Sequence, residues 1–342
     1  MKNIPLGLIV DSHSIREIVE VSRAAENAGF HSVWTTELYR TAFQQLAAIA
    51  PATSKIKLGT SVALAFVRSP LITAISAMDL DEASGGRLIL GLGSGARRTN
   101  EMWHGQTHGK PVARIRECIE IARRVISGSH KGADVVYEGE HYNINIKGFR
   151  RPFNPVREEV PVFLAAVGEN MARESARSAD GYIGHIVCTE KYTKERVFPA
   201  LLEGLSQSGR DRADFTLSTI FICAVCGDSD VEQTRRAAKA TVAFYATVKT
   251  YREPFKLHGF ADVAEKIRDA YFSGDTEAMI ENVSDEMLET FAVVGTARQC
   301  RDRIEDCAAY VDLPILSAPH YYLSPEQVAM YQGRIIEAFG SR

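Results

Sequence analysis

The sequence has 342 residues, 45% apolar and 24% charged, with 40 Lys and Arg against 43 Asp and Glu and a formal net charge of −3. This near-neutral balance excludes nucleic-acid binding by bulk charge and argues against a polybasic membrane attachment, and no apolar run approaches the roughly 18 residues of a membrane span. At about 150 residues per domain the length points to two domains, although one α/β barrel can absorb all of it.

Residues 4–10 read as a strand rather than a signal peptide, because Pro5 breaks the short apolar run and Asp11 closes it. Ser14-Ile15-Arg16-Glu17 has the spacing of a capping box and opens a helix with Ile15, Ile18, Val19, Ser22 and Ala25 on one side. Gly29 ends that helix. A strand at 32–36, a helix at 43–52 and a strand at 56–62 follow. Ser69-Pro70 supplies an N-cap and an N1 proline for a helix that stops at Gly85-Gly86, and 87–91 is the next strand. Beyond Gly91 the rhythm stretches: a polar, loop-like segment, a helix at 112–126, and a hairpin around Glu138-Gly139. Strands resume at 160–166, 181–184, 217–226 and 313–316, with a mostly helical stretch at 231–291 and a helix from Thr296.

About eight strand–helix units run in one series without a linker. Such a series makes a doubly wound sheet or a closed barrel, and eight units with insertions favour a (β/α)8 TIM barrel. The reading is one domain over 1–342, with insertions at approximately 92–159 and 227–311.

The six cysteines do not make a disulfide framework and fit a reducing cytoplasm. Cys223 and Cys226 form a C-x-x-C inside a strand, where core packing is the expectation, because a redox pair normally opens a helix. No His, Cys, Asp or Glu spacing suggests a metal site.

Gly91, Gly93 and Ala96 satisfy the dinucleotide fingerprint after a strand, but no amphipathic helix follows and no acid ends a next strand. The glycines then point to backbone brought close to a flat or phosphorylated ligand. Gly168, Glu169 and Asn170 open a helix after a strand, where free N–H groups and the helix dipole suit a phosphate. Glu37 ends the second strand, on the face where barrels place catalysis; it reads as an acid, a base or an ion-pair partner. Trp34 reads as core. His13 and His185 also follow strands, whereas His104, His108, His130 and His141 fall in polar loops. Arg68, Arg97, Arg98, Lys147, Arg150 and Arg151 could gather near the barrel mouth to attract an anion.

Taken in order, several segments resemble the bacterial-luciferase-like superfamily of flavin- and deazaflavin-dependent oxidoreductases. They are 28–34, 56–62, Arg68-Ser69-Pro70, and above all 84–95, which reads Ser-Gly-Gly-Arg-Leu-Ile-Leu-Gly-Leu-Gly-Ser-Gly. Val167-Gly168, Ala179-Asp180-Gly181 and Val294-Gly295-Thr296 agree in order. Segments 184–187, 196–201, Ala243-Phe244-Tyr245, Leu257-His258-Gly259 and 291–295 resemble the branch that uses coenzyme F420, an 8-hydroxy-5-deazaflavin.

The resemblance implies a luciferase-like barrel, often dimeric, with a cis peptide at Ser61–Val62 behind the tricyclic ring. It implies F420, or alternatively FMN, held by Thr36, Ser61, Val62, Gly93, Ser94, Gly95, Ala166, Gly168, Glu169 and Asn170. Arg97, Arg98 or Arg151 would attend its glutamyl tail. Hydride would pass between the deazaflavin C5 and a small organic substrate, an activated C=C, C=N or C=O, with Glu37 and His185 as acid/base candidates. A separate reductase would regenerate the cofactor. The competing readings are an FMN-dependent monooxygenase and a non-catalytic flavin- or deazaflavin-binding protein. Leu38 and Ser94 stand where sugar-phosphate dehydrogenases of this branch carry His and Glu, so that activity is not implied.

Overall fold

The structure is a computed structural model and describes residues 4–340. Twelve strands are present among the described residues. They are β1 (Gly7–Ile9), β2 (Ser32–Thr35), β3 (Lys57–Thr60), β4 (Ala63–Leu64), β5 (Leu88–Gly93), β6 (Val135–Glu138), β7 (Asn143–Ile146), β8 (Val162–Ala166), β9 (Gly181–Gly184), β10 (Thr216–Val225), β11 (Ala292–Gly295) and β12 (Leu313–Ser317). In the order β1, β2, β3, β5, β8, β9, β10 and β12, eight of them are the parallel strands of a closed (β/α)8 barrel, as the alternation of the sequence predicts. Among the described residues no helix is long and apolar enough to cross a membrane.

The chain groups into two compact units. One comprises, among the described residues, those up to His31, Gly184–Pro199, and those from Leu217 on. Here β12 lies between β1 and β10, with Gly7 opposite Ile315 and Ser218 opposite Leu313. Three capping boxes start its helices: Ser14 with Glu17, Thr296 with Gln299, and Ser324 with Gln327. The first helix buries Ile18, Ser22 and Ala25 and leaves Ile15 and Val19 partly exposed.

Between the helical stretch that ends at Phe291 and the helix from Thr296, four residues to which the sequence assigns no element form a strand. Ala292–Gly295 pairs with β10, Ile222 opposite Ala292, as the parallel strand β11. Four residues of Ala-Val-Val-Gly carry no periodicity that separates a strand from a helix end.

Cys223 lies within β10 and is fully buried, as core packing requires. Its thiol hydrogen-bonds to Cys300 and is pushed well above its usual range by that bond and by burial. Cys226, three residues further on, is only half-buried.

The other unit comprises Ser32–Ile183 and Ala200–Thr216. Its strands β2, β3, β5 and β8 are paired in register through Ser32–Lys57, Leu58–Leu88 and Leu90–Val162. The Ser84-Gly85-Gly86-Arg87 segment has a structural cause. Gly85 caps the preceding helix in the left-handed region (φ 65°) and Gly86 follows at φ 82°, which delivers the Arg87 side chain inward. There its buried guanidinium donates to the carbonyls of Ala50, Thr53, Ile56 and Ser84 and to Thr53 Oγ1. Trp34 is fully buried with its ring under Gly59, which confirms it as core. The hairpin β6–β7 is fastened by Glu117, whose carboxylate accepts the N–H groups of Glu140, His141 and Tyr142.

Candidate active site

The ten residues implied for cofactor binding all belong to this second unit. Gly91 and Gly93 are not turn residues: β5 runs through both, and the reason for glycine is proximity. A Cβ on Gly91 would run into the Thr60 carbonyl oxygen, and one on Gly93 into Val62 Cγ2. Thr60 Oγ1 closes the same gap by donating to Gly91 O at 2.6 Å.

β3 leads into a strap, residues 61–68, whose β4 runs parallel beside the end of β5, Ala63 opposite Leu92 and Leu64 opposite Gly93. The Ser61–Val62 peptide is cis, at the position the resemblance implies. Backbone bonds tie the strap at Ser61 N to Thr35 O (2.7 Å) and at Ala65 N to Gly93 O (3.0 Å). Ser61 Oγ is buried and has no hydrogen-bond partner.

Glu37 fastens this strap. Its side chain is 8% exposed and Arg68 grips it with two bonds, Nη2 to Oε1 at 2.6 Å and Nη1 to Oε2 at 2.8 Å. Leu64 N donates to Oε2 at 2.6 Å. Neighbouring Thr36 accepts from the buried Gln45 amide through its carbonyl (2.8 Å).

Past β5 the chain turns at Gly95 (φ 67°) into a short helical turn, Thr99–Trp103, where the sequence predicts a loop. Asn100 is fully buried: its Nδ2 donates to Ser94 O at 2.7 Å and lies 2.9 Å from His108 Nδ1. Asn100 Oδ1 is buried without a partner. The Ser94 hydroxyl donates to the Gly95 carbonyl. His108, read from the sequence as a loop residue, is buried edge-on against Phe66, and burial lowers its pKa.

After β8, Gly168 is the N-cap of the helix Glu169–Ser178, with no side-chain cap. Gly168, Glu169 and Asn170 are exposed, and nothing lies within 4 Å of where a Gly168 Cβ would stand. The Ala166 carbonyl just before this turn accepts from Tyr182 Oη at 2.8 Å.

The arginines do not form one group. Arg68 is held by Glu37, and Arg151 is buried and paired with Asp79 at 3.1 Å, which removes it from attending a cofactor tail. Arg97 is 66% exposed and lies 3.8 Å from Glu101.

In the first unit, His185 directly follows β9 and enters an aromatic cluster. Its ring stacks on Tyr251 (4.2 Å between centroids) and meets Tyr245 edge-on (4.8 Å). Burial, with His320 adding to it, lowers its pKa to about 3, so the ring is neutral at physiological pH. Val187 N donates to Nδ1 at 3.4 Å, which leaves the ring proton on Nε2.

His320 and Tyr321, just beyond β12, complete the cluster. His320 Nδ1 bonds the Ala318 carbonyl (3.0 Å), Tyr245 Oη lies 3.4 Å from His320 Nε2, and Tyr321 stacks on Phe244. Nothing in the sequence singles out Tyr251, which ends the short helical turn Lys249–Tyr251, or Tyr321, in the loop after β12. Among the described residues no group of His, Cys, Asp and Glu is placed to hold a metal ion.

The profile of the luciferase-like monooxygenase family matches residues 5–313. The chain belongs to that family. An uncharacterized protein of Mycobacterium tuberculosis is 34% identical over 313 residues, spanning 90% of this chain and 92% of that one. The 5,10-methylenetetrahydromethanopterin reductase of Archaeoglobus fulgidus is 31% identical over 291 residues, 83% of each chain. Among solved structures, a coenzyme F420-dependent tetrahydromethanopterin reductase from Methanopyrus kandleri superposes with a TM-score of 0.81 at 23% identity, covering 98% of this chain and 99% of that chain. Luciferase-like relatives of this kind are oxidoreductases, and the named ones include F420-dependent enzymes.

Proposed function

We propose that the protein is a coenzyme F420-dependent oxidoreductase that transfers hydride between the deazaflavin C5 and a small organic substrate carrying an activated C=C, C=N or C=O bond. The observation that carries this reading is the shelf made by Val62 and Gly93. The glycine is flush against the valine side chain, beside a buried Ser61 hydroxyl that has no partner. A flat ring system needs such a level backing, and the orphaned hydroxyl is a donor or acceptor waiting for a polar ring edge.

The second fit is at Gly168. Its uncapped helix N-terminus and open surroundings suit a phosphate bound by the N–H groups of Glu169 and Asn170. The reductase relatives support F420 over FMN. When bound, a deazaflavin supplies two-electron hydride chemistry at C5. The chain's own residues then position and shield it: Ser61, Val62 and Gly93 back the ring, and Gly168–Asn170 hold the phosphate. His185, neutral and with its proton on Nε2, is the acid/base candidate that its own unit offers.

Titrating the purified protein with F420 and FMN, followed by reduced-F420 consumption over a panel of enones, imines and carbonyls, tests the proposal. F420 binding at least about tenfold tighter than FMN, with turnover of one panel class, supports it. Tight FMN and weak F420 binding transfers the chain to the flavin monooxygenases. Tight F420 binding without turnover makes it a binding protein.

A further inference from the structure

Glu37 stands where an acid or base would be sought, yet its geometry is that of a fastener. Each oxygen already accepts an N–H from Arg68, and Oε2 accepts a second from Leu64, so a proton on Oε2 displaces a donor in place and one on Oε1 competes with the guanidinium's positive charge. Arg68 Nη1 also reaches the Leu64 carbonyl at 3.2 Å, and its guanidinium lies 5.1 Å over the Phe43 ring. The strap 61–68 therefore has backbone ties at Ser61 and Ala65, and Glu37 adds a side-chain tie at its middle and its far end.

We propose that Glu37 is a positioning residue, which with Arg68 latches the strap so that Ser61 and Val62 present a fixed surface to the ring of the cofactor. This rests on the reading under "Proposed function" that the ring lies against Val62. The division of labour follows from the geometry: a bidentate Arg–carboxylate pair fixes direction as well as distance, which suits holding a backbone and hinders proton exchange.

The test uses Glu37→Gln, Glu37→Asp, Arg68→Ala and the Glu37→Gln/Arg68→Ala double variant. Hydrogen exchange at the 62–68 amides is measured on the protein without cofactor, then the dissociation constant for F420 and the pH profile of kcat/KM. In Glu37→Gln the Leu64 amide exchanges about tenfold faster and F420 binds about tenfold more weakly, while the residual activity keeps the wild-type pH profile. Glu37→Asp, which keeps the charge, recovers part of both losses. The double variant is no worse than the weaker single one, because both remove one latch.

Unchanged exchange and affinity in Glu37→Gln, with kcat reduced and one limb of the pH profile lost, would overturn the latch and make Glu37 the proton carrier. Exchange accelerated equally over the whole chain would also overturn it, by showing general destabilisation. A wild-type chain that prefers FMN sinks the F420 reading alone, because the exchange measurement needs no cofactor and still decides the latch.

Discussion

Gly168 has backbone angles open to any residue (φ −78°, ψ 151°), and a Cβ added there meets no other protein atom within 4 Å. Substitution is thus free of steric cost to the fold, and whatever it obstructs is outside the chain. Gly168→Val gives a cap weaker by about 1 kcal/mol or less, a small shift in melting temperature. F420 affinity should fall by about tenfold or more, the scale of one lost phosphate interaction of about 1.4 kcal/mol. Isothermal titration beside a thermal melt checks this, and undiminished affinity removes the phosphate from Gly168. At this scale the position was legible, because a glycine between a strand and a helix is a local pattern. The state of His185 was not: its neutrality comes from Tyr251, Tyr245 and His320, which only the fold brings to it.

The elements divide in the same way. Ser14 with Glu17 and Ser69-Pro70 start helices where the sequence predicts them, because a cap is settled within four residues. β4 and β11 were not legible, since two- and four-residue strands exist only through the partner they pair with. The end of β5 shows the cost of arguing from a motif. The sequence showed that glycine was needed at 91 and 93, while the cause is cross-strand proximity to Thr60 and Val62.

That cause separates two substitutions. Gly91→Ala drives a methyl into the Thr60 backbone, which can only move with β3, so loss of the folded protein or destabilisation beyond the usual roughly 1–3 kcal/mol of overpacking is expected. Gly93→Ala meets the Val62 side chain, which can yield, so the protein folds within that range but loses the level shelf. Urea denaturation and F420 titration check the pair. Equal stability of the two variants would refute the assignment of backbone and side chain as the respective obstacles.

Acid lability is a property of the whole molecule, summed over sites in both units. His108, His185, His258 and His320 all have lowered pKa values, and burial is the first cause for each. In the unfolded chain each titrates near 6.5. Below that pH the unfolded state therefore binds more protons than the folded state, and the free energy of unfolding falls as the pH drops. For His185 the mismatch persists down to about pH 3.

Carboxylates act in a lower window. Arg334 holds Asp230 below its usual range, and Lys239 and Arg235 hold Asp285 there. Their stabilisation is present above the unfolded carboxylate values near 4 and is lost only as the pH falls through and below them. Stability measured by urea denaturation at pH 7.5, 6.5, 5.5 and 4.5 should therefore begin to decline near 6.5, before Asp230 or Asp285 takes a proton. Each histidine that stays neutral in the fold adds at most about 1.4 kcal/mol per pH unit to the slope. His185→Phe, which keeps a flat ring against Tyr251, should reduce that slope between pH 6.5 and 4.5. A flat profile from 7.5 to 5.5 would mean that the four imidazoles titrate alike in both states, and a slope unchanged in His185→Phe would take His185 out of the set.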